Sequence, residues 1–175
     1  MGQIKKAIGV FLIIMMAAVF FHLLSLPESA SAATTGADRV FIVKSKRIML
    51  LMRDGEILKA YRISLGMQPV GRKVRAGDKR TPEGSYVLDS RNPNSRFHLA
   101  LHVSYPNESD MANARRLGVS PGGDIMIHGL SGNTAGFGEL YGHEDWTNGC
   151  IAVTNAEIEE IWKLVPDGTP IEIKP

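Results

Sequence analysis

Asp124 to Asn155 reads DIMIHGLSGNTAGFGELYGHEDWTNGCIAVTN: an apolar run ending at His128, a glycine-rich loop, and a second apolar run entered through Cys150. Ile125 to His128 is a short strand whose alternation puts Met126 and His128 on one face, and Ile151-Ala152-Val153 is a second. Cys150 is the only cysteine in 175 residues, so no intrachain disulfide is possible. A lone thiol after Gly149, with a histidine elsewhere in the chain, is a candidate nucleophile–base pair. The competing reading is a buried thiol that packs as a small hydrophobe. The polar Trp146-Thr147-Asn148-Gly149 lead-in suits a tight turn better than a core.

Downstream, Thr154 and Glu157 predict a capping box for a helix whose Ile158, Ile161, Trp162 and Val165 form one apolar stripe. Asp167-Gly168 then turns into a last strand, Ile171 to Ile173. Upstream, strand patterns dominate. Val40 to Val43 is followed by a polar break, and Ile48–Met52 and Ile57–Leu65 flank Asp54-Gly55, a two-residue hairpin turn. In the second arm Ile57, Lys59, Tyr61, Ile63 and Leu65 share a face, as in a sheet half exposed to water. Gly66 to Gly84 is a long basic connection, either solvated or in contact with substrate, that ends in Thr81-Pro82-Glu83-Gly84. Ser85 to Asp89 is a strand, Arg91 to Asn94 a turn, and Arg96 to Ser104 another strand. His98 and His102 on that strand lie ~13 Å apart at 3.3 Å per residue, too far to share a metal ion. Ser109 to Leu117 predicts a short helix capped by Ser109 or Asp110 and stopped by Gly118.

Residues 1–32 have the three-part layout of a secretory signal: Lys5 and Lys6, an apolar run from Ala7 to Leu24, and Ala30-Ser31-Ala32 as a cleavage site. An uncleaved membrane anchor is the alternative, because the run approaches the ~20 residues of a spanning helix. No cysteine stands there, so a lipoprotein is not expected. Either way the domain is expected outside the cytoplasm, in the periplasm or cell envelope. Residues 33–38 read as a linker and 39–175 as one domain. Without residues 1–32, 18 basic and 17 acidic residues remain. Such a balance argues against nucleic acid as a partner.

Thr81-Pro82-x-Gly84, Ile127-His128-Gly129 and Thr147-x-Gly149-Cys150, in that order, make residues 39–175 resemble the catalytic domain of the L,D-transpeptidases, the YkuD-like cell-wall enzymes. Two departures stand out: Asn148 where most members carry a second histidine, and Ala152 where many carry an arginine. A branch with a non-His residue before Gly-Cys is the better match. The resemblance implies a mostly β fold of two packed mixed sheets, barrel-like, with one or two short helices. It also implies acyl transfer on peptidoglycan stem peptides through a Cys150 thioester.

In that chemistry His128 is the base and the Gly129 carbonyl orients its imidazole. Backbone N–H groups of Gly149 and Cys150, with Asn148, would face the oxyanion. Thr147, Tyr141 and Arg96 are candidate substrate contacts. His143, seven residues before Cys150, is the alternative base; the family pattern points to His128, on a firmer strand end. The Gly132–His143 loop reads as a lid or as plain surface. No cofactor and no metal are expected. The partners implied are peptidoglycan stem peptides or a wall-attached protein, with the membrane involved only through an uncleaved N-terminal segment. Two rival functions remain at this stage: a hydrolase on the same scaffold, trimming stems or releasing wall-attached protein, and a non-catalytic wall-binding module.

Overall fold

The computed structural model describes residues 36–132 and 144–175. The segment expected to be a secretory signal or anchor, and most of the glycine-rich loop with Phe137, Tyr141 and His143, lie outside the described residues. Eight strands run in the order β1 (Arg39–Val43), β2 (Ile48–Arg53), β3 (Glu56–Arg62), β4 (Gly84–Ser95), β5 (His98–Val103), β6 (Met126–His128), β7 (Ile151–Ala152) and β8 (Thr169–Lys174). Helix α1 (Glu108–Leu117) lies between β5 and β6, and α2 (Asn155–Leu164) between β7 and β8. No helix among the described residues is long and apolar enough to cross a membrane.

The strands form one mixed sheet ordered β3-β2-β1-β8-β4-β5-β6-β7, parallel at β1·β8 and β6·β7 and antiparallel elsewhere. The two packed sheets expected from the sequence are halves of this one curled sheet. Its edges meet. Beyond β3, Ser64 exchanges both backbone hydrogen bonds with Ala152 of β7, each 2.9 Å, and Gly66 bridges Thr147. Ile42, Leu51, Leu65, Ile127, Ile151 and Ile158 fill the interior, all fully buried. Each such side chain contributes about 1.5–3 kcal/mol.

The β2–β3 hairpin turns as expected, with Asp54 at φ 51° and Gly55 at φ 83°. The face assigned to its second arm holds only in part. Tyr61, Ile63 and Leu65 are buried, but Ile57 is 57% exposed. A register shift between Leu51 and Met52 breaks the alternation, so the outer end of β3 leaves the core. The turn expected at Arg91–Asn94 is instead the interior of β4. Here β4 no longer pairs with β8, whose contact ends at Leu88, and a shift between Asn92 and Ser95 takes up Pro93 as a bulge. The chain reverses at Arg96-Phe97, where Ser95 faces His98. Helix α1 is capped by Asn107, not by Ser109 or Asp110. The Asn107 side chain accepts from the Asp110 N–H, and the Asp110 carboxylate accepts from Asn107 in return.

The basic connection before β4 is tied down at several points, although Arg75 and Lys79 stay exposed. Lys44, 2% exposed, donates to the Gly71 and Thr81 carbonyls and to Glu83. Arg72 pairs with buried Asp110 at 2.9 Å, and Lys73 pairs with Asp78 at 2.8 Å. The Thr81 hydroxyl accepts from the Gly66 N–H. Helix α2 carries the expected capping box, and Ile158, Ile161 and Val165 are buried. Trp162 is half-buried under the Arg91 guanidinium, 4.9 Å from its ring.

Burial alone would raise the pKa of Asp78, but Lys73 and the N–H groups of Val74, Arg75 and Arg80 outweigh it and hold the carboxyl below its ordinary 3.8. A carboxyl depressed on folding stabilises the fold above its unfolded pKa, and that contribution is lost as pH falls through the folded value. Asp78→Asn is therefore expected to lower the melting temperature at pH 7 and to flatten its decline below about pH 4. Thermal melts from pH 2 to 7 measure this; an unchanged slope contradicts it.

Candidate active site

Strands β6 and β7 run parallel, Ile127 beside Ile151 and His128 beside Ala152. Both isoleucines are fully buried, and side chains alternate, so His128 and Cys150 project to the opposite face. A lateral spacing of ~4.8 Å and two residues of rise place their Cα atoms on the order of 8 Å apart. Cys150 is half-buried. Its thiol donates to the Asp124 carbonyl at 3.5 Å, and the Met126 backbone also hydrogen-bonds the sulfur. Burial pushes the thiol pKa above its ordinary 9.0, and Asp124 acts in the same sense. Met126, Lys73 and Arg96 act against them without prevailing.

His128 is buried, with Nδ1 at 2.7 Å from the Gly129 carbonyl oxygen. A carbonyl only accepts, so Nδ1 carries the proton and Nε2 keeps the lone pair. Phe97 stacks on the imidazole, centroids 4.4 Å apart at 25°, and Trp146 meets it edge-on at 5.8 Å. Burial lowers the His128 pKa below 6.5; the Gly129 bond opposes this and Arg96 adds to it. The imidazole is thus neutral at pH 7.

Gly129 is required for close approach. An added Cβ would lie 2.5 Å from Asn155 Oδ1 and 3.0 Å from Ile158 Cγ2 and from the Phe97 carbonyl oxygen. The Asn155 side chain accepts from the Leu130 N–H at 2.7 Å and so fixes the chain after His128. Sequence reading missed Asn155, whose helix-start position beside Thr154 explains its residue type without revealing this contact.

The Thr147–Cys150 turn is held by hydrogen bonds of its own. Thr147 is buried, and its hydroxyl donates to the Cys150 carbonyl at 2.7 Å and accepts from the Gly149 N–H at 3.0 Å. The hydroxyl is thus a strut within the turn. What Gly149 supplies is conformation, at φ +130°. Asn148 is exposed at the crest of the turn. Arg96 is also exposed, its guanidinium 4.7 Å above the Phe97 ring.

Asp145, five residues before Cys150, was not singled out by sequence. It accepts from Arg47 Nε at 3.1 and 3.0 Å and from Arg47 Nη2 at 2.6 Å, and from the Leu65 N–H at 3.0 Å. Arg47 is 98 positions away, and no local pattern reveals such a pairing. No group of three His, Cys, Asp or Glu side chains able to hold a metal occurs among the described residues.

A curled mixed sheet with a thiol and an imidazole on adjoining strand ends defines a candidate cysteine-dependent site. Residues 37–173 match the family model of the L,D-transpeptidase catalytic domain, YkuD. The chain belongs to that family. It is 31% identical over 130 residues to YafK of Escherichia coli (strain K12), a protein named for the same family, covering 71% of this chain and 45% of that one. The fold is similar to that of Pgp2 of Campylobacter jejuni, described as a helical cell shape determining protein. That match has a TM-score of 0.58 and 26% identity over 78% of this chain and 47% of Pgp2. It is also similar to an L,D-transpeptidase of Xylanimonas cellulosilytica, with TM-score 0.52 and 19% identity over 81% and 62% of the two chains. The chain spans about half the length of the curated relative and of Pgp2.

Gly149→Ala tests the turn. The new Cβ would meet the Arg80 carbonyl oxygen at 2.7 Å in a backbone conformation that L residues avoid. The expected loss is about 1–3 kcal/mol of stability from backbone strain, with slower modification of Cys150 by a small alkylating reagent. Wild-type stability together with a wild-type alkylation rate would show that the turn tolerates a side chain.

Proposed function

We propose that this domain catalyses acyl transfer on peptidoglycan stem peptides through a thioester on Cys150, outside the cytoplasm, with residues 1–32 directing export. The observation that carries this reading is the pairing of the Cys150 strand with a neutral, Nδ1-protonated His128. Family membership supports the reaction class.

In the acylation step His128 Nε2 takes the Cys150 proton as Sγ attacks the carbonyl before the terminal D-Ala of a donor tetrapeptide. The C–N bond then breaks, His128 returns the proton to the departing D-Ala amine, and the thioester remains. An acceptor amine, deprotonated by His128, attacks the thioester and restores the thiol. The Cys150 N–H and the Asn148 amide support the oxyanion. Burial disfavours both ionised partners, so the resting pair is thiol and imidazole rather than thiolate and imidazolium. The proton therefore moves during attack.

The decisive assay supplies a tetrapeptide muropeptide and analyses products by mass. Cross-linked dimers with loss of D-Ala are the expected result, and Cys150→Ser is expected to yield none. Shortened monomers alone would mean that water is the acceptor and the enzyme a hydrolase. Release of no D-Ala would sink the proposal.

The protonation states give the pH dependence its sign. Acylation is expected to rise with pH through the His128 pKa, below 6.5, and then to level. In His128→Ala the rate is expected to be far lower and to climb only as the thiol ionises, above 9.0. Matching profiles for the two proteins would remove His128 from the mechanism.

Asn148 stands where most of the family carries a second histidine, and its amide donates without charge. Hydrogen bonds to charged groups are worth about 1.5–3 kcal/mol, so Asn148→Ala is expected to slow acylation by roughly one to two orders of magnitude. An unchanged acylation rate would leave the oxyanion to backbone donors.

A further inference from the structure

Arg96 sits at the tip of the β4–β5 hairpin, and the tip is held on both sides. The Phe97 N–H donates to Ser95 Oγ at 3.1 Å, and His98 Nε2 meets Glu159 of α2 at 2.7 Å. The guanidinium lies over the Phe97 ring, and the same ring stacks on the imidazole of His128. Phe97 therefore links exposed Arg96 to the candidate base. Near the site four buried or half-buried cations are matched by carboxylates, Lys44 by Glu83, Arg47 by Asp145, Arg72 by Asp110 and Lys73 by Asp78, while half-buried Arg80 donates to the Arg72 carbonyl. Arg96 has no carboxylate partner among the described residues. It is exposed.

Its charge also works against His128, making the imidazolium that must form during attack harder to reach. A fixed cation that opposes the base in the empty site is useful when an anion arrives with the substrate and neutralises it. A planar guanidinium suits a carboxylate, which it grips with two parallel N–H···O bonds. Donor stem peptides carry carboxylates both at the C-terminus and within the chain.

Resting on the acyl-transfer reading above, we infer that Arg96 is the specificity-determining residue that binds a carboxylate of the donor stem peptide, with Phe97 as the platform that aims it. The clamp selects acidic donors over amidated ones. It also places the scissile carbonyl before Cys150, and it shields His128 from the Arg96 charge once the donor is seated.

The test compares wild type, Arg96→Gln and Arg96→Lys on three tetrapeptide muropeptides: one with free carboxylates, one amidated at its C-terminus, and one amidated at an interior carboxylate. The readout is kcat/KM for release of D-Ala or its amide, with thermal melts run on each variant. On the free-acid donor Arg96→Gln is expected to lose roughly 10- to 100-fold, mostly in KM, and Arg96→Lys to recover part of that loss. One amidated donor should be turned over equally by wild type and Arg96→Gln, and that donor identifies the carboxylate. The same loss on all three donors, or no loss on any, overturns the inference while leaving acyl transfer intact. A wild-type protein that forms a carbapenem adduct at Cys150 yet accepts none of the donors overturns the proposed function and this inference with it.

Discussion

The two backbone hydrogen bonds between Ser64 and Ala152 close the sheet, and the site depends on that closure. They bring the chain after β3 alongside the Cys150 strand. Leu65 then accepts from the Thr147 N–H, and Met67 donates to the Thr147 carbonyl. Arg47 and Asp145 brace the same junction from outside. The Cys150 turn is thus attached to the segment after β3 as well as to its own strand. The Val153 N–H donates to the His128 carbonyl, which holds the two strand ends in register. Buried glycines allow the contact: Gly66 and Gly149 pass so closely that a Cβ on Gly66 would lie 3.1 Å from the Gly149 Cα.

This closeness has an electrostatic consequence. Packing the imidazole against Phe97 and Trp146 removes the water that would solvate its cation. Burying the sulfur does the same to its anion. The low-dielectric setting that makes both groups poor ions at rest also strengthens any hydrogen bond to charge that develops in the reaction. The short, local bond from His128 to Gly129 survives such surroundings because it involves no net charge.

What sequence could reveal was local. The Asp54-Gly55 turn, the Thr154–Glu157 box and the His128-Gly129 pair each follow from neighbours a few positions apart. The glycine at 129 was legible as a motif, whereas its collision with Asn155 was not, because helix α2 packs there through tertiary structure. Asn92-Pro93-Asn94 misled for an instructive reason. Its residues favour turns, but β4 there has a partner on one side only, and a missing N–H is tolerated in such a strand. The basic 66–83 connection read as either solvated or in contact with substrate because partners such as Asp110 for Arg72 and Lys44 for Glu83 are chosen by the fold rather than by proximity in sequence. Thr147 shows the same limit. Its place in a signature motif does not reveal the two internal hydrogen bonds of its hydroxyl.

The parallel pairing of β1 with β8 sets Val40 beside Ile171 and Val43 beside Lys174. The first and last strands of the domain therefore point the same way, and the chain enters at one pole and leaves at the other. Pro175 is held at the far pole by the Ser45 hydroxyl, whereas Ala37 is fixed at the near one by its bond to the Leu164 carbonyl. A tether fused before Arg39 and a cargo fused after Lys174 would emerge on opposite sides of the domain. A circular permutant joining these ends would need a linker able to run the length of a five-residue strand, about 16 Å. In an antiparallel arrangement of the same two strands a short turn would have sufficed.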